Sequence, residues 1–219
     1  MVIAINAHRI AYMAVPKAAC TSVKAALACV DPENNHTLET ISKNSEVVHA
    51  IYPTKRFRPH RWEKYEGWSR FTVVRDPLKR LLSVYSDRVE GRKGLLNSPK
   101  LKRQSELKST PNPDEFFLNI SAYMKLASVI KHHALPTWLF TGKTPIEEKY
   151  DHVFKVEDIP ALEIYLSEAV GDKVSLPRFN KSSQKLAFDT LKSETQDHLA
   201  IFLADEYEYL KGFYENPFK

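Results

Sequence analysis

Apolar and polar positions fall in short blocks along this chain, and the blocks predict strands alternating with helices. Val2 to Ile5 and Ile10 to Val15 are unbroken apolar runs of strand length, with Asn6 to Arg9 as a turn between them. Val23 to Ala28 then predicts a helix that runs to about Val30. The cluster Asp31-Pro32-Glu33-Asn34-Asn35 breaks it. Val47 to Tyr52 predicts a second strand or its exit, and residues 53–68 an irregular, partly exposed stretch. Phe71 to Val74 is β-branched and aromatic, hence a buried strand. Asp76 is a good N-cap and Pro77 suits the first helical position. Leu78, Leu81, Leu82 and Tyr85 then recur at helical spacing and face the core, with Arg80, Ser83 and Asp87 on an adjoining face.

Residues 90–113 are rich in Lys, Arg, Ser, Gly, Asn and Pro, and predict a long, mobile, basic loop. Asp114 can cap a helix through Phe116, Phe117, Ile120 and Tyr123. Tyr150 to Asp158 predicts a further strand leading into a helix over Ile159 to Ala169, which Glu157 could cap. Leu191 to Phe218 predicts an amphipathic helix followed by an aromatic clamp.

Composition narrows the class. The chain has 219 residues, 43% hydrophobic and 27% charged, enough for one α/β domain with its own core. The net charge of +5 suits an anionic ligand without forming the dense basic tract of a nucleic-acid arm. Two cysteines, Cys20 and Cys29, make no disulfide framework, and a reducing compartment is expected. No basic-then-apolar leader and no apolar run of membrane-spanning length is seen, so a cytoplasmic protein is expected.

The candidate chemistry lies in two places. Strand, tight loop and helix over Val15 to Lys24 is the geometry of a phosphate cradle. Free N–H groups at a helix start, backed by the positive end of its dipole, attract an anion. Thr21 and Ser22 add hydroxyls, and Lys17 a mobile charge. The loop has no glycine, so it is not a Walker A motif, and Ala26 stands where a cysteine phosphatase loop needs arginine. The second place is Arg75 at a strand end, with Ser83 about two turns into the next helix. Both can reach an anion lying across the strand end, where ligands of open α/β sheets bind. The alternative is that Arg75 simply pairs with Asp76.

The Pro16-Lys17-Ala18-Ala19-Cys20-Thr21-Ser22 loop resembles the sulfate-donor loop of sulfotransferases, and most closely that of the Golgi carbohydrate sulfotransferases and their bacterial relatives. The run Val74-Arg75-Asp76-Pro77, then Arg80-Leu81, then Ser83-Val84-Tyr85 resembles the same family's 3′-phosphate element. His133-Ala134-Leu135-Pro136 and the Tyr150 to Glu157 stretch have family counterparts too. The resemblance implies a P-loop-like three-layer α/β fold over 1–219, with a central, mostly parallel sheet flanked by helices. It also implies transfer of a sulfuryl group from 3′-phosphoadenosine 5′-phosphosulfate (PAPS) to a hydroxyl, with a carbohydrate acceptor, no metal and no nucleic-acid partner. An anionic acceptor would suit segments 45–68 and 90–113. Residues 16–22 would hold the 5′-phosphosulfate, Lys17 would neutralise the bridging oxygen, and Arg75 and Ser83 would hold the 3′-phosphate. Asn180, Lys181 and Ser182 would help close the nucleotide site.

The general base stays open between His49 and the pair His132 and His133, with Glu157 or the substrate itself as further choices. Cys20 at a helix start is conceivable as a nucleophile, but it reads better as a small residue under the phosphate. Two other classes compete. A nucleotide-dependent phosphotransferase would need a glycine-rich loop and acidic Mg²⁺ ligands. A basic nucleic-acid-binding module would leave both anion elements unexplained.

Overall fold

The computed structural model describes residues 2–34, 36–104, 106–179 and 186–219. Its strands are β1 (Ile3–Ile5), β2 (Ile10–Met13), β3 (Ser69–Val74) and β4 (His152–Lys155). Its helices in chain order are α1 (Cys20–Val30), α2 (Leu38–Lys43), α3 (Val47–Ile51), α4 (Pro59–Trp62), α5 (Pro77–Val84), α6 (Pro99–Lys102), α7 (Pro113–Leu118), α8 (Ile120–Leu126), α9 (Ser128–Ala134), α10 (Trp138–Thr141), α11 (Ile159–Val170) and α12 (Ser193–Tyr209). They form two compact units, one of residues 1–75 and 137–181, the other of residues 76–136 and 182–219.

The first unit carries the sheet, in the order β1-β2-β3-β4. β1 pairs antiparallel with β2, while β2 with β3 and β3 with β4 are parallel, so the sheet is mostly parallel as expected. β2 is buried along its whole length, as a strand covered on both faces must be. Alternate residues of each strand form one core face: Ile10 and Tyr12, then Phe71 and Val73, then Phe154. The Tyr12 and Phe71 rings stack at 4.7 Å, and Phe71 meets Tyr165 of α11 edge-on at 5.4 Å. Val23, Ala25, Leu27, Ile41 and Val48 bring α1, α2 and α3 onto the same core.

Val47 to Ile51 is helical rather than a strand, with Tyr52 as its C-cap. Asn44 starts it, its side chain accepting from the Glu46 N–H at 3.1 Å and its carbonyl from Val47 N–H at 3.2 Å. Helical turning buries Val48 and brings Val47 and Ile51 against the core, whereas strand alternation would have put His49 on the face shared by Val47 and Ile51. The Tyr52 hydroxyl donates to Asp31 at 2.6 Å, tying the end of α3 to the end of α1. That contact and burial together push the Tyr52 hydroxyl well above its ordinary pKa. Residues 53–68 are irregular apart from α4 and one short turn, and Trp62 anchors them, its indole N–H donating to the Lys149 carbonyl at 3.2 Å.

The second unit is helical. Asp76 caps α5, accepting from Lys79 N–H at 2.8 Å, with Pro77 at the first position, as expected. Leu78, Leu81, Leu82 and Tyr85 are buried. The basic stretch after them is not all loop: residues 94–97 and α6 form helical turns, with Leu95 and Leu101 buried in the unit's core. The cap of α7 is Asn112, not Asp114, because Pro113 already occupies the first helical position. Asp114 instead accepts from Lys192 N–H at 3.0 Å and Thr195 Oγ1 at 2.7 Å, holding the start of α12. Asp158, not Glu157, caps α11. Arg80 is fully buried: its Nη2 donates to both Glu206 oxygens at 2.9 and 3.0 Å and to the Leu135 carbonyl, and its Nη1 to the His133 carbonyl. Among the described residues no helix is long and apolar enough to cross a membrane.

Removing one partner of a buried, hydrogen-bonded pair leaves a stranded charge, which costs about 3–5 kcal/mol. Arg80→Met is therefore expected to lower unfolding free energy by that much in urea titration. A loss under about 1 kcal/mol would mean that the fork contributes little.

Candidate active site

The chain leaves β2 at Met13 and must turn sharply to start α1. It does so through two non-glycine residues in the left-handed region, Lys17 at φ 67° and Ala19 at φ 53°. Such residues are uncommon, and they cluster where a loop's path is dictated by function. Ala18 N–H closes the turn onto the Val15 carbonyl at 3.3 Å. Ala19, at the N-cap position, has no side chain to accept a hydrogen bond, so the first-turn N–H groups of α1 have no capping side chain.

Arg75, the residue after β3, reaches this loop. Its Nη1 donates to the Lys17 carbonyl at 3.1 Å. The two elements picked out separately in the sequence thus meet directly, through a guanidinium that holds the loop in its left-handed course. The parallel pairing of β2 with β3 makes this possible, since it brings both strands' C-terminal ends to the same sheet edge.

Thr21 and Ser22 lie half-buried on the first turn of α1. Thr21 Oγ1 is 3.1 Å from His49 Nε2, so α3 sets a histidine directly against the loop. On its other side, His49 Nδ1 is 3.1 Å from Lys24 Nζ, which also donates to Thr54 Oγ1 at 2.6 Å. Lys24 and Thr54 were not read from the sequence as site residues. The signal was present: Lys24 interrupts the apolar run Val23 to Ala28, three residues after Thr21 on the same helical face.

Pro16 and Ala18 are buried, Lys17, Ala19 and Cys20 partly so, and all belong to the first unit with His49 and Arg75. Ser83, His132 and His133 belong to the second unit. Ser83 Oγ donates to the Arg80 carbonyl at 2.6 Å. His133 Nδ1 is 2.7 Å from the Val129 carbonyl, which only accepts, so that nitrogen carries the hydrogen and Nε2 the lone pair when the ring is neutral. His132 and His133 rings sit edge to face at 5.0 Å. Glu157 is exposed just after β4. Asn180, Lys181 and Ser182 lie outside the described residues.

Backbone N–H groups at a helix start, two hydroxyls, Lys17 and Arg75 form a donor set that fits a phosphate ester. A family model described as the sulfotransferase family matches residues 2–218. The chain belongs to the sulfotransferase family. It is of the Golgi carbohydrate sulfotransferase type that its two motifs resemble. No curated protein and no solved structure matches it. As a sulfotransferase it moves a sulfuryl group onto a hydroxyl acceptor, and the strand–loop–helix cradle belongs to a P-loop-like α/β fold. Among the described residues no group of three or more His, Cys, Asp or Glu could hold a metal ion.

The left-handed turn of this sulfotransferase gives a direct test. An alanine there costs roughly 1–2 kcal/mol relative to a right-handed conformation, and glycine returns part of that to the unfolded chain. Ala19→Gly is expected to raise unfolding free energy by about 0.5–1 kcal/mol in denaturant titration. Equal or lower stability would show that the alanine sits there without strain.

Proposed function

We propose that this protein is a PAPS-dependent sulfotransferase whose acceptor is a carbohydrate hydroxyl. The observation that carries the reading is the hydrogen bond from Arg75 to the Lys17 carbonyl, which joins the loop expected to bind the 5′-phosphosulfate to the residue expected to bind the 3′-phosphate. A donor bearing phosphate at both ends is what two such adjoining elements would recognise. The family match runs through both compact units, which supports reading 1–219 as one catalytic domain.

In this reading the Ala18 to Ser22 backbone and the Thr21 and Ser22 hydroxyls hold the 5′-phosphate, and Lys17 neutralises charge on its bridging oxygen. Arg75 and, on the motif spacing, Ser83 are the 3′-phosphate ligands; Asn180, Lys181 and Ser182 help close the nucleotide site. The acceptor oxygen forms a new bond to sulfur while the bond from sulfur to the phosphate oxygen breaks. That oxygen keeps the electron pair, and the acceptor's proton passes to a base. A histidine base needs a lone pair on the nitrogen that faces the acceptor, which is fixed when the other nitrogen donates its hydrogen to a carbonyl. The Val129 carbonyl meets this requirement at His133, whereas at His49 it depends on Lys24.

A carbohydrate acceptor is supported by residues 53–68. Tyr65 and Trp68 are partly exposed aromatics, their rings 5.1 Å apart, and can stack on a sugar face. Lys55, Arg56, Arg58, Arg61 and Lys64 are exposed beside them, which suits an anionic glycan.

Calorimetric titration with 3′-phosphoadenosine 5′-phosphate tests the donor. Binding is expected at micromolar concentration, with 5′-AMP much weaker. Arg75→Ala is expected to cost about 1.5–3 kcal/mol of binding, the worth of a hydrogen bond to a charged group. Equal binding of both nucleotides, or of neither, would overturn the PAPS reading.

A further inference from the structure

Lys24 lies outside the donor loop, yet it is one of the largest fully buried side chains of the protein. Its ammonium group touches His49 Nδ1 at 3.1 Å and Thr54 Oγ1 at 2.6 Å, and among the described residues no carboxylate pairs with it. Burial pushes its pKa down from the ordinary lysine value, and neighbouring Cys20 pushes it back up. The ammonium form, with three donors, can donate to both groups at once.

The proton count on Lys24 decides which nitrogen of His49 carries hydrogen. An ammonium has three donors and no acceptor, so the Nδ1 that faces it must present its lone pair. The ring hydrogen then sits on Nε2 and is donated to Thr21 Oγ1, 3.1 Å away. A neutral amine would instead let Nδ1–H donate to it and leave the lone pair on Nε2.

We propose that Lys24 is a positioning residue: as an ammonium it holds His49 in the Nε2–H form, and through His49 it frees the Thr21 hydroxyl hydrogen for the phosphate of the sulfuryl donor. Every hydrogen bond then runs one way, from Lys24 to His49, from His49 to Thr21, and from Thr21 to the anion. Each donor in such a chain polarises the next, so the hydroxyl at its end meets growing negative charge on the leaving phosphate more strongly. His49 in this form has no lone pair to take the acceptor's proton, which passes to another group. The functional half of this inference rests on the sulfuryl-transfer reading, while the tautomer of His49 stands independently of it.

The experiment is nuclear magnetic resonance of the full chain labelled with ¹⁵N-histidine, without ligand, at neutral pH, with His49→Gln assigning the signal. Hydrogen on Nε2 of His49 is expected; hydrogen on Nδ1 overturns the proposal whatever the donor proves to be. In Lys24→Met the single tautomer is expected to give way to a mixture. If 3′-phosphoadenosine 5′-phosphate binds the wild type, kcat for sulfuryl transfer in that variant is expected to fall about ten- to a hundredfold with donor KM within about threefold, below the loss seen when a direct oxyanion donor is removed. An unchanged tautomer and kcat in a folded Lys24→Met protein overturn it. Should that variant not fold, the wild-type spectrum decides alone.

Discussion

The sharp turn from β2 into α1 is the constraint on which the first unit depends. A strand that ends inside a parallel sheet must reverse over a few residues and still present the open end of the helix it starts. Glycine would make that path easy. Here Lys17 and Ala19 take it instead, at φ 67° and 53°, and the conformational cost has to be met from outside the loop. Arg75 supplies part of it by gripping the Lys17 carbonyl. Because Arg75 follows β3, and β3 pairs in register with β2, the sheet itself determines where the grip falls. The lack of glycine thus favours one loop path over many, which is the preorganisation an anion site needs.

The histidine against this loop is placed by a second set of contacts at the far end of α1. Tyr52 at the end of α3 donates to Asp31 at the end of α1, while Val48 is buried in the core between them. A five-residue helix has little stability of its own, so packing and this tie must hold it. His49 inherits its position from them. Its contacts to Thr21 and Lys24 both fall on α1, so one helix face meets both ring nitrogens.

Much of this was legible in the sequence, and the failures have physical causes. The four strands are short, apolar and mostly β-branched or aromatic, and such runs fit a buried pleated sheet. Asp76-Pro77 marked the start of α5 by cap chemistry alone. Val47 to Tyr52 was misread because a six-residue apolar window satisfies both periods; the deciding residue, Asn44, lies outside it. The 90–113 stretch was misread from its composition, since two buried leucines outweigh many exposed lysines in fixing a segment. The loop and Arg75 stood out because anion sites need particular residue types, and the fold brings the two together. Lys24 could not be found by that route, since its partners, His49 and Thr54, stand 25 and 30 residues further along the chain.

Two buried cations show how differently such groups can be used. Arg80 is matched within its own unit: two carboxylate oxygens and two carbonyls accept from its fork. That arrangement neutralises the charge where it lies, which lets an arginine be fully buried. Lys24 is as deeply buried and has only a hydroxyl and an imidazole. A buried ammonium without an anion is costly. Neighbouring Cys20, at the start of the same helix, pushes the lysine's pKa back up and so offsets part of that cost. The first cation is balanced by folding. The second is balanced only in part, by a hydroxyl, an imidazole and a neighbouring cysteine, so it keeps a cost that the first does not.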